Sequence, residues 1–293
     1  MTSKPFPLPD LTGRTVVVTG ATSGIGLSTA RAFGAAHARV VLAVRDPAKG
    51  AAAAASIPGG AIVRALDLAD LSSVRRFADD WQGPIDVLVN NAGVSSPTRQ
   101  RTTDGFELQL GTNHLGPFAL TNLLLPHVTG RVVALSSQAE RAARINLDDL
   151  FQERTPYRES RVYAASKLAN LLFITELQRR LAAAGSAVLA AAAHPGLVAT
   201  DMTRGSGGTL SRLAVRYLAQ SPEQGALPVL FAATADIPPG AFTGPEHALH
   251  MRGGAELIGR SKRSRDPELA RRLWIASEKL TGVTFGLHAD MEK

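Results

Sequence analysis

Near the start of the chain, a valine-rich run passes directly into a glycine turn, and this transition limits the folds that the chain can adopt. The run covers residues 15–19, the turn residues 20–26, and an alanine-rich stretch follows at residues 27–36. This order predicts a strand, a tight turn and a helix. Glycines let the backbone approach a pyrophosphate, whose charge is then stabilised by free N–H groups at the helix N-terminus. Taken alone, the motif also fits a glycine turn that binds nothing.

Further apolar runs are continuous rather than alternating, which is typical of strands buried in a parallel sheet. They lie at residues 40–44, 61–66, 87–90, 131–135 and 188–193. Helical patterns separate them at residues 46–56, 72–81, 105–128 and 162–184, with Asp46 and Ser72 as N-caps and Gly185 as a stop. The alternation predicts an α/β fold of the Rossmann type: a doubly wound parallel sheet in three α/β/α layers. Its ligand site should lie at the carboxyl ends of the strands.

Length and composition favour one domain. The chain has 293 residues, of which 45% are apolar and 19% charged, and this is enough to bury one large core. We expect a core at residues 11–244 and a C-terminal extension at 245–293, with a helix capped at Asp266 and Trp274 in the core. The absence of cysteine excludes disulfides, thiolate metal sites and cysteine nucleophiles. The seven histidines show no zinc-type spacing, so no metal site is expected.

Tyr163 and Lys167 are four residues apart, a spacing that places both side chains on one face of a helix. A phenol has an unperturbed pKa near ~10, and a nearby ammonium favours the phenolate. The pair therefore indicates proton transfer at neutral pH, although a tyrosine and a lysine at this spacing also occur by chance.

Together with this pair, the glycine spacing resembles the single-domain short-chain dehydrogenase/reductase family. The first gap between glycines is three residues and the second is one, unlike the Gly-x-Gly-x-x-Gly fingerprint. Other family motifs follow in order along residues 11–244. They are Asn90-Asn91-Ala92-Gly93, Asn113, the second serine of Ser136-Ser137, and the segment at residues 195–200.

The resemblance implies an NAD(P)-dependent enzyme acting on CH–OH and C=O groups. Tyr163 would protonate the carbonyl oxygen as hydride arrives, Ser137 would hold that oxygen, and Lys167 would bind the ribose and lower the pKa of Tyr163. Asn113 would anchor a water that reaches Lys167. The implied cofactor contacts are Gly20, Thr22, Ser23, Gly24, Ile25, Gly26, Arg45, Asp67, Leu68, Asn91, Ala92, Gly93, Tyr163, Lys167, Pro195, Gly196, Val198 and Thr200.

The end of the second predicted strand should decide which cofactor binds. An acidic residue there would bind the ribose of NAD, whereas Val44 occupies that place and Arg45 follows it. Guanidinium matches phosphate geometry, so we expect NADP(H) rather than NAD(H). The alternative is that Arg45 is only a surface cation.

Residues 138–162 form a long, charged segment between Ser137 and Tyr163. This insertion resembles the branch that contains retinol dehydrogenases, the WW-domain oxidoreductase and protochlorophyllide reductases, and it implies a bulky, lipophilic carbonyl or alcohol substrate. Residues 201–221 combine glycines with an amphipathic stretch, which predicts a substrate lid; an ordinary surface loop is the alternative.

The net charge is +7, and the densest basic cluster is Arg260–Arg265. We expect a solvated, partly mobile loop there rather than a nucleic-acid site, because no aromatic residues are interleaved with these cations and a nucleic-acid-binding motif is absent. The first ten residues lack a signal-peptide core and no run of about 18 apolar residues occurs, so we expect a cytoplasmic protein without a membrane anchor. Family dimers suggest a homodimer through helices near Gly105 and Val162. An NADP-binding sensor with little turnover is the alternative function.

Overall fold

One sheet forms the centre of the molecule. The computed structural model describes residues 6–198 and 219–287, and within them the sheet has eight strands in the order β3-β2-β1-β4-β5-β6-β7-β8. Neighbouring strands are parallel except for the antiparallel pair β7 and β8. The strands are β1 (Thr15–Thr19), β2 (Arg39–Val44), β3 (Ile62–Ala65), β4 (Ile85–Asn90), β5 (Val128–Leu135), β6 (Leu189–Ala193), β7 (Phe242–Gly244) and β8 (Glu256–Leu257).

Helices cover both faces of this sheet. They are α1 (Gly24–Ala35), α2 (Pro47–Ala54), α3 (Leu71–Asp79), the single turn α4 (Leu108–Leu110), α5 (Gly116–Leu124), α6 (Glu159–Ala183), α7 (Pro222–Thr234) and α8 (Pro267–Thr281). Successive side chains of a strand point to opposite faces. Val16 and Val18 accordingly pack with Phe33 of α1, whereas Val17 packs with the aromatic residues under α5 and α6. The predicted three-layer, doubly wound Rossmann architecture is confirmed.

The strand order reverses between β1 and β4. Strands β2 and β3 extend to one side of β1, and the later strands extend to the other side of it. The connections that leave strands on the two sides of this point cover opposite faces of the sheet, and a crevice forms at the carboxyl ends of β1 and β4. This is the topological switch point, where ligands of open α/β sheets bind.

Most element boundaries agree with the sequence patterns to within three residues, and the helix predicted at residues 105–128 corresponds to a helical stretch at residues 108–127 that is not uniformly α-helical. Gly111–Leu115 forms a π-helical turn between α4 and α5, and Leu125–His127 is a 3-10 turn before β5. The side chain of Glu107 is buried and accepts hydrogen bonds from the N–H groups of Gln109 (3.0 Å) and Leu110 (2.7 Å). That cap fixes the start of α4 at Leu108, three residues later than predicted.

The N-caps were predicted with mixed success. Asp46 caps α2 by accepting from the N–H groups of Ala48 (3.0 Å) and Lys49 (3.1 Å), as predicted. Ser72 is not the cap of α3, because the carboxylate of Asp70 accepts from the N–H groups of Ser72 (2.8 Å) and Ser73 (3.3 Å). The predicted cap is therefore wrong, because a carboxylate placed before the first turn is a favourable cap and Asp70 stands two residues before Ser72.

The C-terminal helix α8 docks on the side of the sheet that carries α5 and α6. Trp274 is 2% exposed, stacks on Phe173 at 5.7 Å and meets Phe118 edge-on at 4.8 Å. Asp266 caps the helix, and Trp274 lies in the core, as predicted. Helix α8 thus covers part of the α5 and α6 surface that the predicted homodimer would use.

The predicted lid at residues 201–221 falls mainly outside the described residues, and only Ala219, Gln220 and Ser221 at its end are described. No described helix combines the length and the apolar character needed to cross a bilayer. Within the described residues, no group of three or more histidine, aspartate or glutamate side chains could hold a metal ion.

Candidate active site

The glycine turn after β1 packs directly against the loop after β4. Gly20 has φ +64°, and a Cβ there would lie 2.8 Å from the Cα of Ala92. A Cβ on Gly26 would collide with the amide nitrogen of Asn91. Glycine is therefore required at both positions. Gly20 needs it for its left-handed backbone, and both residues need it because the loop after β4 approaches so closely.

Hydrogen bonds join the same two loops. The hydroxyl of Thr19 accepts from the backbone N–H groups of Asn91 and Ala92, each at 3.0 Å. The side-chain amide of Asn91 donates to the carbonyls of Thr19 (2.8 Å) and Gly20 (3.2 Å). The two loops at the switch point are thus fixed relative to each other.

Helix α1 begins at this turn and points its N-terminus into the crevice. Its N-cap, Ser23, makes no side-chain capping bond. The first N–H groups of the helix consequently lack the side-chain partner that Asp46 provides to α2. Such groups are suited to an anion, and the glycine turn gives the pyrophosphate of a dinucleotide room to approach. The turn therefore fits a nicotinamide dinucleotide on its own geometry.

A cavity of about 610 Å³ runs along the carboxyl ends of the strands. It brings together nearly all of the cofactor contacts predicted from the sequence: Gly20, Thr22, Ser23, Gly24, Ile25, Gly26, Arg45, Asp67, Leu68, Asn91, Ala92, Gly93, Tyr163, Lys167, Pro195, Gly196 and Val198. Thr200, the last of them, lies outside the described residues. Asn113 and Ser137 are not among the residues that line the cavity, although their neighbours Thr112 and Ser136 are.

Asn113 lies in the π-helical turn, next to the cavity-lining residue Thr112. Its side-chain oxygen accepts from the N–H of Val94 (2.7 Å), and its side-chain nitrogen donates to the carbonyl of Val94 (3.0 Å) and the hydroxyl of Ser166 (3.0 Å). The turn thereby ties the loop after β4 to helix α6, which carries Tyr163 and Lys167. Single π turns occur often at functional sites because they redirect one side chain out of the helical register.

Lys167 is almost completely buried, with 4% of its surface exposed. Its ammonium donates to the carbonyl of Leu135 at the end of β5 (3.2 Å) and lies 5.5 Å from the centre of the Tyr163 ring. Asn170 donates to the same carbonyl at 2.9 Å. Helix α6 and the end of strand β5 therefore hold Lys167 beside Tyr163, where it lines the cavity.

Burial dominates the electrostatics of this pair. It raises the pKa of Tyr163 to about 12, an effect that the side chain of Ser137 only partly opposes. Burial likewise lowers the pKa of Lys167 to about 8. Desolvation disfavours the charged form of each group. The protein chain alone therefore does not produce the low phenol pKa that the Tyr163 and Lys167 spacing predicts.

Ser137 lies between the catalytic pair and the insertion. Its hydroxyl accepts from the N–H of Ala139 (3.2 Å) and caps the 3-10 turn Gln138–Ala142. Hydrogen bonding with the same side chain lowers the pKa of the Tyr163 phenol, against the larger effect of burial. Strand β5, which ends two residues earlier, places it there.

Several residues around the cavity were missed by the sequence reasoning. Lys49 lines the cavity beside Arg45, and its position four residues further on was an available signal. Gln220 gave no such signal: its amide donates to the carbonyl of Pro195 (2.7 Å) and accepts from the N–H of Gly253 (3.0 Å). It thereby supports the loop at Pro195 and Gly196 from outside the cavity.

Comparison with known proteins agrees with this geometry. The family model described as short chain dehydrogenase matches residues 14–209. The chain belongs to this family. It is therefore an NAD(P)-dependent oxidoreductase of alcohol and carbonyl groups, and its sequence motifs correspond to the retinol dehydrogenase-like branch of the short-chain dehydrogenases.

Two curated relatives of this short-chain dehydrogenase span nearly its whole length. Mouse polyprenol dehydrogenase is 41% identical, over 97% of this chain and 88% of the relative. Human retinol dehydrogenase 13 is 39% identical, over 92% of this chain and 85% of the relative.

Solved structures show the same fold. An uncharacterised protein from Mycobacterium paratuberculosis is 48% identical, with a TM-score of 0.87 over 97% of this chain and 100% of that chain. A protein from Beutenbergia cavernae, described as an NAD(P)-dependent gluconate 5-dehydrogenase with bound NADP, is 29% identical, with a TM-score of 0.63 over 77% of this chain and 91% of that chain.

The buried lysine predicts an unusual dependence of stability on pH. The pKa of Lys167 is lower in the folded than in the unfolded chain, so between pH 8 and 10.5 the unfolded chain binds more protons. Stability should therefore rise with pH through this window. Without added cofactor, Lys167→Met should increase the free energy of unfolding at pH 7, and that gain should shrink by about 2 kcal/mol at pH 10.

Urea unfolding at both pH values measures this difference. The carbonyl of Leu135 keeps its bond from Asn170 in the variant, so the substitution leaves no unpaired acceptor there. The matched control is Lys49→Met, which removes an exposed lysine and should give no comparable dependence on pH. A Lys167→Met chain that is equally destabilised at both pH values would contradict the assignment of burial as the dominant effect.

Proposed function

We propose that the protein is an NADP(H)-dependent oxidoreductase that interconverts a carbonyl and an alcohol on a bulky, lipophilic substrate, with Tyr163 as general acid and base. The single observation that carries this proposal is the arrangement of the cavity. Tyr163 and Lys167 of α6 line one part of the cavity, and Arg45 and Lys49, which follow β2, line another part. A reacting end and a cationic end therefore share one cavity.

The catalytic roles follow from what each side chain contacts. A bound nicotinamide supplies or accepts a hydride. Tyr163 donates the proton to the carbonyl oxygen in reduction and removes it in oxidation. Ser137, which acts on the phenol, lies where it can also donate a hydrogen bond to that oxygen and hold it in place.

Lys167 would bind the cofactor ribose and lower the pKa of the Tyr163 phenol. Its amine is close to half protonated near pH 8, because burial lowers its pKa to about 8. It can therefore both donate a hydrogen bond and pass a proton near neutral pH. Asn113 lies beside it: a Cβ on Gly93 would be 3.3 Å from the Asn113 oxygen and 3.6 Å from the Lys167 nitrogen. A water held there would return the proton from solvent to Tyr163.

The preference for NADP(H) is supported by the charges at the end of β2. Val44 supplies no carboxylate for a ribose hydroxyl, and Arg45 and Lys49 both line the cavity. The nearby carboxylate of Asp46 is directed to the first N–H groups of α2 and lies 3.9 Å from the Lys49 ammonium. Arg45 and Lys49 are therefore two cations beside a carboxylate, that of Asp46, which already accepts hydrogen bonds from α2. This arrangement favours a ribose that carries a phosphate.

A lipophilic substrate is supported by the relatives and by the insertion. The relatives are named for retinol and polyprenol, both long apolar alcohols. The insertion packs apolar side chains of its own, among them Ile145, Leu150 and Phe151, against α6 and α8. It is therefore a folded wall beside Ser137 and can shape a pocket for a large substrate.

Replacing the two cations should reverse the cofactor preference. Arg45→Ala and Lys49→Ala should each weaken NADPH binding by about tenfold, since each removes one charge-assisted contact to phosphate, and should leave NADH binding nearly unchanged. Titration of the reduced nicotinamide by fluorescence measures both constants. Arg39→Ala, at the opposite end of β2, is the matched control. Equal affinity of the natural chain for NADPH and NADH would refute the preference.

Removing the phenol hydroxyl should separate chemistry from binding. Tyr163→Phe should lower kcat by at least about 10²-fold, the usual contribution of a general acid, and keep NADPH affinity within a small factor. Tyr157→Phe is the control: Tyr157, which lies in the insertion, donates to the carbonyl of Ser96 in the loop after β4 (2.9 Å), and its substitution should affect kcat far less.

The assay follows the absorbance of reduced nicotinamide with a panel of lipophilic ketones, aldehydes and quinones. A fully active Tyr163→Phe variant would rule out Tyr163 as the proton donor. NADPH binding without turnover of any member of the panel would favour a cofactor-binding sensor instead.

A further inference from the structure

The basic segment at residues 260–265 is not the free loop that its sequence predicts. Arg263–Arg265 forms a 3-10 turn, and Ser261 donates to the buried carboxylate of Glu140 from its N–H (2.8 Å) and its hydroxyl (2.5 Å). Arg260 is partly buried and donates to the hydroxyl of Thr175 in α6 (3.1 Å). The segment is therefore anchored to the domain, while Lys262, Arg263 and Arg265 are exposed to solvent as predicted.

Two arginines join this segment to the turn that follows Ser137. Arg141 donates to the carbonyl of Gly259 (2.6 Å), and Arg263 donates to the carbonyl of Ala143 (3.2 Å). Residues 138–144 and 259–265 consequently lie side by side. We call their exposed cations the basic surface, which consists of Arg141, Arg144, Lys262, Arg263 and Arg265.

The charges of the basic surface are not balanced locally. Its five cations form no ion pair with any residue of the part of the chain that the structure describes. The single acid within the two segments is Glu140, which is fully buried beneath them. Asp266, the next acid along the chain, accepts from the first N–H groups of α8. An anionic partner would therefore meet a local excess of positive charge.

Exposed leucines adjoin the basic surface. Leu257, 49% exposed, lies two residues before Gly259 on the edge strand β8. Leu249 is 91% exposed, and the next residue, His250, lies 3.2 Å from the carboxylate of Glu256, which precedes Leu257. The stretch at residues 245–265 contains no Phe, Tyr or Trp side chain that could stack on a base. Aliphatic side chains beside unpaired cations match the surface of an anionic bilayer better than a nucleic acid.

We propose that the basic surface docks this short-chain dehydrogenase on an anionic phospholipid bilayer. Arg141 lies four residues after Ser137, so docking brings the Ser137 side of the active site next to the lipid. A lipophilic substrate dissolved in that bilayer then has a short path to Tyr163. This last step rests on the proposed function, whereas the docking itself depends only on charge and exposed aliphatic side chains.

Co-sedimentation of the full chain with phospholipid vesicles tests the docking. Vesicles of phosphatidylcholine and phosphatidylserine in equal amounts should bind the chain, vesicles of phosphatidylcholine alone should not, and added salt should weaken the binding. Each cation near an anionic surface contributes about fivefold in affinity. The double variant Lys262→Glu with Arg265→Glu should therefore bind at least about twentyfold more weakly.

The matched control is Arg31→Glu with Arg39→Glu, which changes the net charge equally on α1 and β2, across the sheet from the basic surface. It should keep most of the binding. Absence of binding to the anionic vesicles, or equal loss in both double variants, would overturn the proposal. Binding to duplex DNA without binding to vesicles would also overturn it and reassign the surface to nucleic acid.

NADPH titration of the same proteins keeps the two proposals separate. Both double variants should bind NADPH like the natural chain, because none of their four positions lines the cavity. A chain that docks on vesicles but turns over no carbonyl would refute the proposed function and leave the docking intact. A chain that reduces carbonyls but does not bind anionic vesicles would refute the docking and leave the proposed function intact.

Discussion

The contact between the glycine turn after β1 and the loop after β4 is the constraint on which the site depends. No Cβ fits at Gly20 or Gly26, and Thr19 and Asn91 lock the two backbones together. Because of this contact, the N-terminus of α1 and the wall that carries Asn113 face one cavity. A side chain between them would separate the anion-binding end from the catalytic pair. The close approach of the two backbones therefore sets the relative position of both halves of the site.

Burial then determines the electrostatics of Tyr163 and Lys167. Tyr163 and Lys167 lie on α6 against the end of β5, where desolvation disfavours both the phenolate and the ammonium. The fold loses stability at neutral pH by keeping a lysine there, as active sites often do. As a consequence, burial lowers the pKa of the Lys167 amine to about 8. A cationic nicotinamide beside the phenol would shift the balance toward the phenolate, so the chain and its cofactor complete the site together.

Much of this arrangement was predictable from local sequence. Continuous valine runs and the glycine turn indicated the parallel sheet, and the four-residue spacing placed Tyr163 and Lys167 on one face of a helix. Sequence could not reveal the π turn at Asn113, because it depends on the buried cap at Glu107 and on contacts with Val94 and Ser166. Nor could it reveal Gln220, which supports the Pro195 loop from a distant segment. The anchor of the charged segment at residues 260–265 could not be found from local sequence, because Glu140 lies about 120 residues away.

The most direct test is a titration of the Tyr163 phenol, read as the tyrosinate absorbance of the natural chain minus that of Tyr163→Phe. Without cofactor, the phenol should titrate near pH 12, because burial raises the pKa of Tyr163 to about 12. Saturating NADP⁺ should move that titration to lower pH, since a nearby positive charge favours the phenolate. A phenol that titrates near its ordinary value of ~10 without cofactor, or that is unaffected by bound NADP⁺, would contradict the account.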